Sequence, residues 1–172
     1  MQNGFAKSKG DYRFAFASRL AKRLILVDRL TEAEKFLTEL HQKNPADREI
    51  FHELTSVYVR QDKAENLREK FAETVLALKS QTELEPKEIN AQIAAMREQM
   101  IRAFTQLKDH RSAVEQHIEI INRQPDEDEN VDAAIRYVKH YGGGDLLLNY
   151  YQKTCRRSLQ KLSLECGFSA DF

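Results

Sequence analysis

The chain has 172 residues, 27 basic and 27 acidic side chains and a hydrophobic share of 41%, enough apolar material for one compact domain or a short stack of helical units. A formal net charge of zero removes the simplest argument for nucleic acid, which needs a surplus of Lys and Arg on some face. No run approaches the ~18–20 apolar residues of a membrane span, and no apolar signal-peptide core is visible near Met1, so a cytoplasmic protein is expected.

Apolar residues recur at intervals of three and four throughout, the helical period, and an all-α fold of about eight helices follows. The first helix is expected from about Tyr12 to Val27, with Phe14, Ala17, Leu20, Leu24 and Val27 on one stripe. Thr31 with Glu34 three residues on reads as a capping box opening a second helix, which Ala33, Phe36, Leu37 and Leu40 carry to Asn44-Pro45. Phe51, Leu54, Val57 and Tyr58 line a third. Asp62 and Glu65 repeat the cap pattern before a fourth, lined by Leu67, Phe71, Val75 and Leu78.

Pro86 suits the first turn of a fifth helix, where its missing N–H costs nothing; Ile89, Ile93, Met96, Met100 and Phe104 follow on one face. Asp109 caps a sixth helix that runs to Gln124-Pro125. Val131, Ala134, Ile135, Val138 and Tyr141 line a seventh. Gly142-Gly143-Gly144 then forces a stop, since three glycines within a helix cost roughly 3 kcal/mol against alanine. An eighth helix is expected from near Asp145, with Leu146, Leu147, Tyr150 and Tyr151.

Pro45 and Pro125 lie 80 residues apart, two periods of 34 with 12 residues over, and 34 is the length of a tetratricopeptide repeat. Over residues 14 to 154 the chain resembles that family. Leu20, Ala21, Ala33 and Pro45 fall at the family's Leu, small, Ala and Pro positions in a first unit, near 14–47. Phe51, Leu54, Tyr58 and Phe71 match the bulky and aromatic positions of a second, near 48–81. Phe104, Ala113 and Pro125 match a third, near 94–127, and Ala134 and Tyr151 a fourth, near 128–154. The turns within the pairs also coincide: Asp28-Arg29, Asp62-Lys63, Lys108-Asp109 and Gly142-Gly143 occupy the same repeat positions. Thr55 and Ile101 depart from the pattern, standing where a small residue is usual, and residues 82–93 form an insertion read as an extension of the fifth helix. The resemblance implies a right-handed superhelical solenoid of antiparallel helix pairs over residues 1–154; an irregular helical bundle is the alternative.

Residues 155–172 carry no repeat pattern. One synonymous back-translation of this tail, read one nucleotide later, gives AEEAYKNYRWNVVLARI. The expectation is therefore either a frameshifted piece of a longer repeat protein or an atypical terminal cap.

Signatures of catalysis are not found. The five histidines form no HExxH pair and join no zinc-type Cys-His cluster, and Cys155 and Cys166 have no His or acid arranged around them. His117 falls where the repeat packs an aromatic, so a core or half-buried ring is expected, while His110 reads as a surface residue. The acids after Pro125 lack the central Gly and closing Glu of a calcium loop and suit a helix N-terminus. No enzyme activity, cofactor or metal site is expected.

In the family, the first helix of each pair lines a concave groove. The resemblance places Ser18 and Lys22 there, then Glu49, His52, Ser56 and Arg60, then Glu98, Arg102 and Gln106, and finally Asp132, Arg136, Lys139 and His140. That lining is polar and of mixed charge, which suits a peptide recognised through hydrogen bonds and ion pairs. Chaperone-binding members use a Lys/Asn clamp for a terminal carboxylate; no Asn occupies these slots, so that ligand is disfavoured. A basic stripe for RNA (Lys22, Arg60, Arg102, Arg136, Lys139) is interrupted by Glu49, Glu98 and Asp132. The expected function is thus a non-catalytic scaffold for a protein or peptide partner. A spacer within a longer repeat protein is the alternative, and self-association through uncapped ends is allowed.

Overall fold

The computed structural model describes residues 18–125 and 127–154. Phe14, Ala17, Asp126 and the tail with both cysteines lie outside them. The described residues form eight helices and no strand: α1 (residues 18–26), α2 (Leu30–Lys43), α3 (Arg48–Arg60), α4 (Ala64–Lys79), α5 (Pro86–Gln106), α6 (His110–Arg123), α7 (Asp128–Tyr141) and α8 (residues 144–154). Among the described residues no helix is long and apolar enough to cross a membrane. The chain divides into two compact units between Leu107 and Lys108.

In the first unit α3 packs against α2, α4 and α5, and α4 against α5. Its core is the buried stripe of each helix: Ala33 and Leu37 of α2, Ile50, Phe51, Leu54, Val57 and Tyr58 of α3, Leu67 and Leu78 of α4, and Ile93, Met100 and Phe104 of α5. One polar group sits among them. His41 is 1% exposed; its Nε2 lies 2.9 Å from Thr74 Oγ1, whose own proton goes to the carbonyl of Lys70 at 2.8 Å. The hydroxyl therefore accepts, and Nε2 is the nitrogen that carries hydrogen. Two guanidinium–ring contacts seal α4 to α5: Arg68 over Phe104 at 5.1 Å and Arg97 over Phe71 at 5.4 Å.

In the second unit α6 packs against α7. Ile121, Ala134 and Leu147 form its centre, with Ile118, Val131, Ile135 and Val138 around them. The rings of His110, His117, Tyr137, Tyr141 and His140 make a continuous aromatic cluster. His110 stacks on Tyr141 at 5.0 Å and 17°, its Nδ1 is 3.0 Å from Tyr137 Oη, and His117 meets Tyr137 at 5.1 Å. His110 is thus a packed, half-buried ring rather than a surface residue, because the residue after the cap of α6 faces the Tyr137/Tyr141 side of α7.

The turns repeat their geometry. Asp28, Asp62 and Lys108 have φ of 60°, 58° and 58°, and Gly142 has 92°. The residues after the first three then take (φ, ψ) of −84/58, −103/65 and −87/68 at Arg29, Lys63 and Asp109. After α1 and α3 the ladder closes as a Schellman motif: Arg29 N–H donates to Leu24 O and Lys63 N–H to Tyr58 O, both at 2.9 Å. The proline turns match as well. Asn44 is at −143/75 and Gln124 at −134/64, each followed by Pro, and the carbonyls of Asn44 and Gln124 accept from Asp47 and Glu127 N–H at 3.1 and 3.3 Å.

Several local expectations need correction. Asp109 does cap α6, accepting from Ser112 N–H at 3.2 Å, and Pro86 opens α5. Thr31 and Asp62 cap nothing, because α2 and α4 begin at Leu30 and Ala64 with Arg29 and Lys63 at their N-caps and no side-chain cap bond. Asp62 is spent in the left-handed turn position, and Thr31 already lies inside its helix. Asp47 is the cap of α3, accepting from Glu49 and Ile50 N–H at 2.8 and 3.0 Å. Leu20 and Val27, placed on the apolar stripe of α1, are 41% and 65% exposed; Ala21 is the fully buried residue there.

Candidate functional site

The helical period places His52, Thr55, Ser56, Val59 and Arg60 on one face of α3, and Gln99, Arg102, Ala103 and Gln106 on one face of α5. Between these faces lies an open cavity of about 340 Å³, with Ile25 of α1 at its edge. A second open cavity of about 390 Å³ adjoins it, lined by Lys22 of α1, Arg48, Glu49, His52 and Glu53 of α3, and Ala95, Met96 and Gln99 of α5. His52 and Gln99 belong to both, so the two form one groove along α3 and α5. At 1.5 Å per residue, Arg48 to Arg60 spans about 18 Å, the length of roughly five extended residues.

The two halves differ in charge. In the Lys22 half, Lys22 and Arg48 face Glu49 and Glu53; Lys22 Nζ lies 3.5 Å from Oε1 of the buried Glu53. The other half is lined by Arg60 and Arg102 and by no carboxylate. Arg60 Nη1 donates to Ile25 O at 2.6 Å, at the C-terminal end of α1, where a cation is favoured. Arg102 meets Glu98 at 3.9 Å, both side chains largely exposed. Thr55 and Ser56 donate to the carbonyls of Phe51 and His52 at 2.8 and 3.3 Å, which leaves their oxygens free to accept. The Gln99 carboxamide nitrogen is buried without a hydrogen-bond partner.

Of the residues expected in a groove, Lys22, Glu49, His52, Ser56, Arg60, Arg102 and Gln106 line these cavities. Ser18 is buried in α1 and Glu98 lies beside the groove, held to Arg102. Asp132, Arg136, Lys139 and His140 are exposed on α7 in the second unit. Gln99, Arg48, Thr55 and Met96 were not anticipated. For the two on α5 the steps 96, 99, 103 and 106 follow the i, i+3, i+4 rule, so once the helix is rotated with Met96 toward the groove the wall passes through Gln99 rather than Glu98.

Two histidines have shifted titration. Burial holds both His41 and His117 below the usual imidazole value, and for His41 the carboxylate of Glu73, 3.5 Å from Nδ1, opposes the shift. Neither lines the groove. Among the described residues no three His, Cys, Asp or Glu side chains are grouped to hold a metal ion.

No protein-family model, curated protein or solved structure matches the chain.

Proposed function

We propose that this chain is a non-catalytic binding module, built of antiparallel helix pairs in a right-handed solenoid of tetratricopeptide type. In this reading the groove between α3 and α5 holds an extended segment of a protein partner. The repeat architecture is supported by backbone geometry: positive-φ residues at 28, 62, 108 and 142 and matched proline turns at 45 and 125 recur at the 34-residue spacing with one insertion. Fully buried Ala21, Ala33, Ala113 and Ala134 supply the close helix approach that such pairs need.

The observation that carries the function is the groove itself, two adjoining cavities whose walls present donors and acceptors instead of a closed apolar seam. This groove is long and open, with hydrogen-bonding side chains set at intervals along largely apolar walls, the form that suits an extended peptide.

The test is to pan the full chain against a random peptide library and map a selected peptide by amide chemical shifts. Shifts confined to α3 and α5, with affinity falling as salt rises, are expected. Shifts confined to other helices, or an affinity indifferent to salt, would overturn the reading.

A further inference from the structure

We propose that the half of the groove bounded by Arg60 and Arg102 is a subsite for neighbouring carboxylate side chains of an acidic peptide; this rests on the reading of the face as a peptide groove. The chain as a whole is neutral, yet this cavity has two guanidinium groups on its walls and no acid, while the adjoining cavity balances its cations with Glu49 and Glu53. The imbalance is local, and a ligand of opposite charge corrects it.

The donors are disposed to different degrees of readiness. Arg60 is anchored through Nη1 to Ile25 O at 2.6 Å, which ties one nitrogen of its guanidinium to the end of α1 and leaves its other N–H groups for a ligand. Arg102 is held only by Glu98 at 3.9 Å, with side chains 67% and 64% exposed. An exposed i, i+4 pair of this kind is weak, so an incoming carboxylate with better geometry displaces Glu98. Gln99 adds a buried carboxamide nitrogen that has no partner; rotation of its side chain toward the cavity it lines gives a third donor to the same ligand.

The acceptors decide between a peptide and a phosphate chain. Thr55 and Ser56 give their protons to carbonyls one turn back, so toward the groove they offer oxygen lone pairs. A peptide backbone brings an N–H donor at every residue to meet them, whereas phosphate oxygens bring acceptors alone. Ile25, Val59 and Ala103 add apolar lining for the methylenes of Glu side chains.

The experiment uses a fluorescein-labelled, C-terminally amidated peptide of eight Asp and Glu residues, its Asn/Gln counterpart, and poly(U) as a phosphate control. Polarisation is read against the full chain at low and moderate salt, and amide shifts locate each probe. The acidic peptide is expected to bind at least tenfold tighter than its neutral counterpart. Arg102→Glu, on an exposed side chain that leaves folding intact by circular dichroism, weakens it about tenfold, the size of one charge-assisted hydrogen bond. Arg136→Glu, on the exposed face of α7 in the second unit, changes it less than threefold. Equal binding of both peptides, with shifts in α3 and α5, overturns the acidic subsite and leaves the groove standing. Shifts elsewhere, or no binding of either peptide at millimolar protein, overturn the subsite as well and count against the groove. Poly(U) binding as tightly as the acidic peptide and with the same loss in Arg102→Glu reassigns the site to nucleic acid.

Discussion

Gly142 and Gly143 allow two kinds of glycine requirement to be separated in one turn. Gly142 sits at φ 92°, ψ −171°, a region that is nearly glycine-only, and a Cβ there would meet nothing within 4 Å. Gly142→Ala therefore costs backbone strain alone, about 1–3 kcal/mol, offset by about 0.4–1 kcal/mol from a less flexible unfolded chain. Gly143 also has a positive φ, 85°, but its Cβ would lie 3.1 Å from Val114 Cγ2. Val114 is fully buried and β-branched, so it has little freedom to swing aside, and overpacking adds about 1 kcal/mol or more. Urea unfolding followed by circular dichroism, with hydrogen exchange on α6 and α7, should rank Gly143→Ala below Gly142→Ala. Val114→Ala should restore only the steric part, giving a coupling of about 1 kcal/mol in the double-mutant cycle. A Gly143→Ala variant as stable as wild type, or additive effects with Val114→Ala, would refute this account of the α7–α8 turn.

Asp47→Ala should cost about 1 kcal/mol through loss of the α3 cap, while Thr31→Ala, which removes no cap bond, should stay within about 0.5 kcal/mol; urea midpoints decide. Thr74→Val leaves the buried Nε2 of His41 without an acceptor and should cost about 1–3 kcal/mol, with Thr74→Ser recovering most of it in the same assay. Acidification should destabilise the fold. His41 and His117 have folded-state values below the unfolded value of about 6.5, so the unfolded chain binds more protons. The stability they confer is present above pH ~6.5 and is lost as pH falls through their lower folded values. His117→Phe should flatten that loss in the exchange of α6 and α7 between pH 7 and pH 5; an unchanged slope would show that His117 is not its source.

The helices were legible because periodicity records burial directly: Leu37, Phe51, Leu54, Phe104 and Ala134 are all buried where the three-and-four spacing puts them. Caps were less so. Thr31–Glu34 and Asp47 fit the same capping rules, and the choice between them depends on where the preceding left-handed residue ends its turn, which is a backbone property of Asp28 and not of Thr31. The packing of His110 is not legible from its own segment, because its neighbours in space, Tyr137 and Tyr141, lie a helix away. The groove was half legible. Lys22, His52, Arg60 and Arg102 could be assigned from a repeat register, but Gln99 depended on the rotation of α5, and a rotation of 100° per residue turns a one-position difference into a different wall.

The longer α5 gives that rotation its physical basis. The N-terminal part of α5 does not overhang: Ile89 and Ile93 are 8% and 0% exposed, and Arg97 lies over Phe71 of α4. Those contacts lie between about one and a half and three and a half turns N-terminal to Arg102, and helical rigidity carries them along the axis. The buried edge at 89, 93 and 100 holds one face of α5 inward, which leaves the face with 95, 99, 102 and 106 to line the groove, with Met96 and Ala103 at the boundary between the two. Residues 86–93 touch neither cavity, yet they set which side chains of α5 a ligand would meet. This first part of α5 therefore belongs to the groove in the way a foundation belongs to a wall, through orientation and not through contact.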